Sequence, residues 1–182
     1  MQPVILTTKR LTLRCPTHDD VDALTHALDD HEISQWLSRV PFPYHRHDAI
    51  RWVGIATDNW RRDTAYPFNA FLGDQLIGGI GITRVSEDDG VLGYWLVPDH
   101  WGQGLGQQML GAIIGFGFDT CGFRQLTAGI HPDNDRSARL LTASGFTSIG
   151  DQIYLHPPAD NRLQGPHYRL SVGDRQASPP PE

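Results

Sequence analysis

The chain has 182 residues, 39% of them apolar and 20% charged, which is enough for one domain with a real core and short for two. No run approaches the roughly 20 apolar residues of a membrane helix, and the short apolar stretch at the N-terminus carries its basic residues after it, the wrong order for a secretory signal. A net charge of −6 with scattered arginines argues against direct nucleic-acid binding, which needs a basic patch, and leaves a cationic or amine-bearing partner or plain solubility as readings.

Along the chain, "RLTLRC" alternates, with Leu11, Leu13 and Cys15 on one face, and predicts a strand. Thr17 with Asp20 three residues later matches a capping box, so a helix is expected from near His18 to about residue 30. "EISQWL" predicts a short helical turn. Ile50, Val53, Ala56 and Trp60 stand at helical spacing and predict a helix over about 48–61. The texture then turns β-rich, broken by "GD" at Gly73 and "DDG" ending at Gly90. Such turns predict three antiparallel strands, about 66–72, 75–84 and 91–97. Gly78, Gly79 and Gly81 in the middle strand mark bulges or a place where a ligand approaches the backbone. A helix over about 104–120 carries an apolar stripe of Leu105, Met109, Ile113 and Phe116. Its Gly111, Gly115 and Gly117 are expected to form a bare face against the sheet. "RQLTAGI" predicts a strand, "DNDRSARLLTASGF" a helix closed by Gly145, and "TSIGDQIYL" and "HYRLSV" two last strands. The end, "VGDRQASPPPE", cannot build a core and is expected to be a disordered tail over 172–182, leaving 1–171 as one domain. The order describes an α/β (α+β) domain, antiparallel in front, with a crossover in its second half.

The stretch "WLVPDHWGQGLGQQML" carries the first chemistry. Pro98 stops the strand for want of a backbone donor. Three glycines then lead into a helix whose first amides have no intrahelical acceptor, and whose dipole adds positive charge. Such a turn suits a pyrophosphate, or serves as a plain connector. It is neither of two familiar nucleotide loops: Gln107 and Gln108 stand where a Walker loop needs Lys and Ser or Thr, and Gln107 stands where a dinucleotide fingerprint needs its third glycine.

"LGYWLVPDHWGQGLGQQML" followed by "HPDNDRSARLLTASGF", with "TTKRLTLRCPTHDDVDAL" at the front, resembles the GNAT acetyltransferase superfamily. More narrowly it is similar to the ribosomal-protein N-acetyltransferase (RimJ/RimL-type) branch, over about residues 6–171. The resemblance implies a single GNAT-like domain: a mixed, mostly antiparallel twisted sheet of about seven strands with a splayed central strand, flanked by about four helices. It implies acetyl-CoA as co-substrate. The amides of Gly102, Gln103, Gly104, Leu105 and Gly106 would cradle the pyrophosphate, with Trp101 where the family has Gln or Arg. Leu96 and Val97 would hold the pantetheine arm through their backbone, and an amide there would face the acetyl carbonyl. Asn134 would contact the same arm, its other reading being a helix N-cap. Ser137, one turn on, would give a proton to the leaving thiolate, its other reading being a plain first-turn residue.

Two family positions differ. The tyrosine that many members use as the acid is replaced by Leu141. Tyr94, on the splayed strand, reads as a core tyrosine. A glutamate common two residues before the "GY" pair is replaced by Val91. The nearest carboxylates, Glu87, Asp88 and Asp89, read as an exposed hairpin tip. An amine must lose a proton to attack a thioester, so the base is left without a residue. No metal is expected: "HRH" at His45–His47 completes no zinc pattern, and Cys15 and Cys121 lie too far apart for one. The acidic run Asp29 to Glu32 borders the expected acceptor side. A reducing cytoplasm fits the cysteine usage. The resemblance therefore implies an N-acetyltransferase acting on a protein N-terminus or a small amine, with a homodimer left open. The alternatives are an acyl-CoA-binding module without catalysis, and transfer of a longer acyl group such as succinyl.

Overall fold

The computed structural model describes residues 1–156 and 161–175. Eight strands form one sheet, ordered β1-β2-β3-β4-β5-β6-β8-β7. They are β1 (Leu6–Thr7), β2 (Thr12–Arg14), β3 (Ala65–Leu72), β4 (Gln75–Arg84), β5 (Asp89–Leu96), β6 (Gln125–Gly129), β7 (Thr147–His156) and β8 (Asn161–Ser171). The helices are α1 (Val21–Leu28), α2 (His31–Ser34), α3 (Arg46–Arg62), α4 (Leu105–Gly115), α5 (Asp135–Ala143) and α6 (Val172–Arg175). All neighbours pair antiparallel except β5 and β6, which run parallel.

The two hairpins on either side of β4 follow from their turns. Gly73 sits at φ 59° between β3 and β4. Ser86 Oγ accepts from the amides of Asp88 and Asp89 and donates to Asp89 Oδ2 at 2.8 Å, closing the turn into β5. Glu87 and Asp88 are exposed at that tip. The register shifts between Ala70 and Phe71, so β4 carries a bulge around Ile77. The β4 glycines next to it are covered by the chain itself. A methyl on Gly79 would stand 2.5 Å from the Trp95 indole nitrogen, and one on Gly78 2.6 Å from the Trp95 carbonyl.

Each face of the sheet has its own core. Leu13, Phe68, Ile80, Leu92, Leu126, Ala128 and Leu170 meet Leu105, Met109 and Ile113 of α4 and Leu141 of α5 on one face. Phe71, Leu76 and Trp95 meet Val21 and Leu24 of α1 and Val53 of α3 on the other. Trp60, at the end of α3, reaches the first core. It stacks edge-on against Tyr66 at 5.3 Å and Phe68 at 5.1 Å, pairs worth about 0.5–1.5 kcal/mol beyond their burial. Its indole donates to the Pro67 carbonyl at 2.9 Å.

Three expectations need correction. Gly111 does not pack on the sheet; it is exposed, with nothing within 4 Å of an added methyl. Gly117 does pack, 2.8 Å from Ile82 on the same measure. It lies in a π-helical turn, Phe116–Thr120, that ends the helix in place of a regular last turn. Residues 172–175 of the expected tail form the turn α6, joined to β8 by the Ser171 amide on Asp174 Oδ2; 176–182 lie outside the described residues.

Candidate active site

β5 leaves its neighbour. It pairs with β6 only through Asp89–Gln125, Gly90–Leu126 and Val91–Thr127, and its remaining residues run free of β6. The side facing that gap follows from register. The Val97 amide donates to the Ile77 carbonyl, so Ile77 and Val97 form a hydrogen-bonded pair, and in an antiparallel ladder such pairs alternate. Tyr94 and Leu96 therefore turn their N–H and C=O groups away from β4 and into the gap. Val97 does not. Its amide is bound to Ile77 and its carbonyl accepts from His100. Of the expected pair, Leu96 turns its backbone groups into the gap, as Tyr94 does, while those of Val97 are bonded elsewhere.

The gap opens onto the glycine turn. Gly102 and Gly104 adopt φ of 72° and 75°, values that a residue with a Cβ reaches only at a cost of about 1–2 kcal/mol. Both are exposed, with open space where a side chain would be. The first intrahelical bond of α4 runs from the Gln108 amide to the Gly104 carbonyl. The amides of Leu105, Gly106 and Gln107 are thus the orphan donors of the helix start. No side chain caps them, and the first turn carries no acid. Gly106 is the packed member of the set, seated against Leu140 of α5.

Trp101 holds this turn. Its indole donates to the Leu96 carbonyl at 2.7 Å, and the Arg136 guanidinium of α5 lies 3.6 Å above its ring, a cation–π geometry. On the other flank Arg10 reaches the Gln103 carbonyl at 3.2 Å. Thr8 and the Arg10 amide both donate to Gln108 Oε1. Two guanidinium groups thus bracket a helix start that already favours anions. Neither was read from the sequence, where Arg10 and Arg136 lie 93 and 35 positions from their partners.

Asn134 is the N-cap of α5, accepting from the Ser137 amide at 3.0 Å. Ser137 is 8% exposed, and its Oγ lies 2.5 Å from the Tyr94 hydroxyl. Burial pushes the Tyr94 phenol up to about 12, against a lowering by the Ser137 bond. It therefore stays protonated over the working range, with a proton to give along the Tyr94–Ser137 pair. The core reading of Tyr94 was incomplete. The ring packs on the core, but the hydroxyl joins Ser137 beside the gap.

Residues 10–147 match the acetyltransferase (GNAT) domain family. The chain belongs to the GNAT acetyltransferase family. An uncharacterized N-acetyltransferase of Bacillus licheniformis is 28% identical over 149 residues, which cover 80% of this chain and 83% of the relative. Mycobacterium smegmatis RimJ in complex with CoA-disulfide superposes with a TM-score of 0.86 at 18% identity, over 96% of this chain and 91% of that one. A Salmonella typhimurium acetyl transferase that modifies the N-terminal serine of a 50S ribosomal subunit protein gives 0.81 at 19%, over 93% and 99%. At these identities the two structures speak for the fold; the family match and the curated relatives carry the enzyme class, N-acetyltransferase.

In this acetyltransferase Leu141, at the position of the common tyrosine, is fully buried in the core. Val91 is half-buried and paired with Thr83 of β4. In the acidic run Asp29 to Glu32, Asp29 accepts from the Tyr44 amide and Asp30 caps α2 through the Glu32 amide. Among the described residues no group of three His, Cys, Asp or Glu is placed to hold a metal, and no helix is long and apolar enough to cross a membrane. Cys15 and Cys121 are free thiols.

Proposed function

We propose that the chain transfers an acetyl group from acetyl-CoA to a primary amine, by direct attack of the amine on the thioester. The observation that carries this reading is the uncapped glycine turn at α4, which follows the part of β5 that has left β6 and that brings Tyr94 to Ser137. Its donor set suits a pyrophosphate followed by an amide-bearing arm. The orphan amides of Leu105 to Gln107 and those around Gly102 to Gly104 face an anion without a side chain in the way. The Leu96 amide faces the gap, and Asn134 caps the helix that carries Ser137. The thioester supplies the activated acyl group; the chain's part is to hold it, orient the amine and place a proton on the departing sulfur through Ser137. Solved relatives that hold coenzyme A support the first part of this reading. A relative that modifies an N-terminal serine supports a protein N-terminus as acceptor, with a small-molecule amine as the other class.

Calorimetry with acetyl-CoA tests the cofactor. The wild-type chain binds it, and Gly104→Val weakens binding at least tenfold, because the new side chain occupies the open side of the turn and strains a φ of 75°. No heat of binding in the wild-type chain would overturn the reading. A second reading rests on Val91 and the buried Leu141, where acid–base groups stand in other members: a module that binds acyl-CoA without transfer. Thiol release over a panel of amines separates the two, since the module binds tightly and releases nothing. In the same assay, a longer acyl thioester such as succinyl-CoA tests the chain length.

A further inference from the structure

The missing glutamate at Val91 leaves the amine's proton without a destination, and the register of the sheet supplies one. Leu126, Ala128, Tyr168 and Leu170 are buried in the core under α4, so alternation puts Thr127, Gly129, His167 and Arg169 on the opposite face. Val91, Gly93 and Trp95 of β5 share that face, since Leu92 packs in the same core and Trp95 packs on the α1 side. Two rows cross the sheet there. Val91 is level with Thr127 and Arg169. The next row holds Gly93, then the gap, then Gly129 paired with His167.

Gly93 and Gly129 are both exposed, so the two strands border the gap at this level without side chains. The His167 ring occupies the space above Gly129. A methyl there would stand 2.6 Å from Cε1 and 2.8 Å from Nε2. Any larger residue at position 129 would push the imidazole away from the gap. The Nδ1 atom turns back to the Gly165 carbonyl at 3.4 Å. A carbonyl only accepts, so the tautomer that makes this bond carries its proton on Nδ1 and has Nε2 as the acceptor. Just past the end of β6, His131 meets the Trp36 ring edge-on at 5.3 Å, so the segment after α2 touches the chain at this end of β6.

We propose that His167 is the general base, taking through Nε2 the proton that the attacking amine loses. This rests on the acetyl-transfer reading above. The amine nitrogen forms the new C–N bond as the C–S bond breaks. The thiolate takes a proton from Ser137 Oγ, which is reprotonated from Tyr94 or water. The amine's surplus proton goes to His167 and then to solvent, so the products are an amide and a free thiol. The charged and titratable groups around the ring are Arg169 on its own strand, Asp151 of β7 one position from its pair, and His131 with its neighbour Asp133 beyond β6.

The experiment combines two readouts on the full chain. The first is the imidazole NMR spectrum titrated with coenzyme A, the His167 signal being identified by its absence in His167→Gln. The second is thiol release from acetyl-CoA with a serine-initiated peptide at neutral pH. The His167 signal moves on coenzyme A binding more than that of His26, on the outer face of α1. His167→Ala lowers release about 100-fold or more, leaves acetyl-CoA affinity within about twofold, and is partly rescued by added imidazole. Gly129→Ala, which displaces the ring and keeps the histidine, lowers release as well. An unmoved His167 signal in protein that binds coenzyme A overturns the assignment even if the peptide is no acceptor. So does release by His167→Ala within about threefold of wild type. Absence of coenzyme A binding overturns the acetyl-transfer reading itself.

Discussion

Replacing Asp20 with alanine is expected to cost about 1.5–3 kcal/mol of folding stability, the range for hydrogen bonds to a charged group, since its partner Arg14 keeps 31% of its side chain exposed. Asp20 is 4% exposed and accepts from Arg14, Asn69, and both the amide and the hydroxyl of Thr17. Arg14 forks onto both oxygens at 2.8 and 2.6 Å. The Thr17 amide and the Asn69 side-chain amide reach Oδ2 at 2.8 and 3.1 Å. Alanine strands the Asn69 amide, itself 2% exposed, and takes from Arg14, which lies over the Phe71 ring, its hydrogen-bonded ion-pair partner. The result should be a fall in the urea midpoint at unchanged slope.

The pH dependence separates charge from packing. Burial opposes the charge on Asp20, but the bonds from Arg14, Thr17 and Asn69 outweigh it and hold the carboxyl below its usual range. A depressed carboxyl stabilises the fold above its unfolded pKa, near 4, and loses that contribution as pH falls through the folded value. The gap between wild type and Asp20→Ala should therefore be full at pH 7 and shrink below about pH 4. A gap that stays constant down to pH 2 would mean that packing, not charge, carries the effect. The consequence for function is positional. Asp20 ties β2, the start of α1 and β3 together, and α1 forms one side of the face on which the acceptor is proposed to bind.

What could be read in advance was what is local. β4 was read to its ends because turn residues bound it on both sides, and α5 because Asn134 and Gly145 punctuate it. The glycine turn and its helix were read from amide chemistry that needs no partner. β1 escaped because two residues carry no period, and the full length of β8 because its first half mixes proline, glycine and polar residues without alternation. The π-helical turn escaped because glycines around Phe116 look like a weak helix from the sequence. The site was legible in the same uneven way. Ser137 and Asn134 follow from one motif, but Tyr94, 43 positions away, meets Ser137 only through the fold. Trp101 looked like a missing Gln or Arg. The fold gives it an indole bond to Leu96 and a stacked Arg136, partners that its spacing in the sequence does not announce.

Ser137→Ala and Tyr94→Phe are each expected to lower turnover about 100-fold, the lower end for a positioned general acid, with acetyl-CoA affinity within about threefold. The two hydroxyls are one unit in this arrangement. A serine hydroxyl alone is a weak acid; bonded to a phenol that burial keeps protonated up to about 12, it can pass on a proton and regain one without waiting for solvent. The double variant should then be no slower than either single one, because losing either member breaks the same path. Independent effects that multiply to about 10,000-fold would mean two separate roles, one of them positional. Stopped-flow thiol release read against calorimetric affinity makes the distinction, since a purely structural loss would appear in binding and stability as well as in rate. Turnover within twofold of wild type in Ser137→Ala would remove the acid role from α5. With Leu141 buried, the phenol of Tyr168, close enough to Tyr94 to act on it electrostatically, would be the next hydroxyl to substitute.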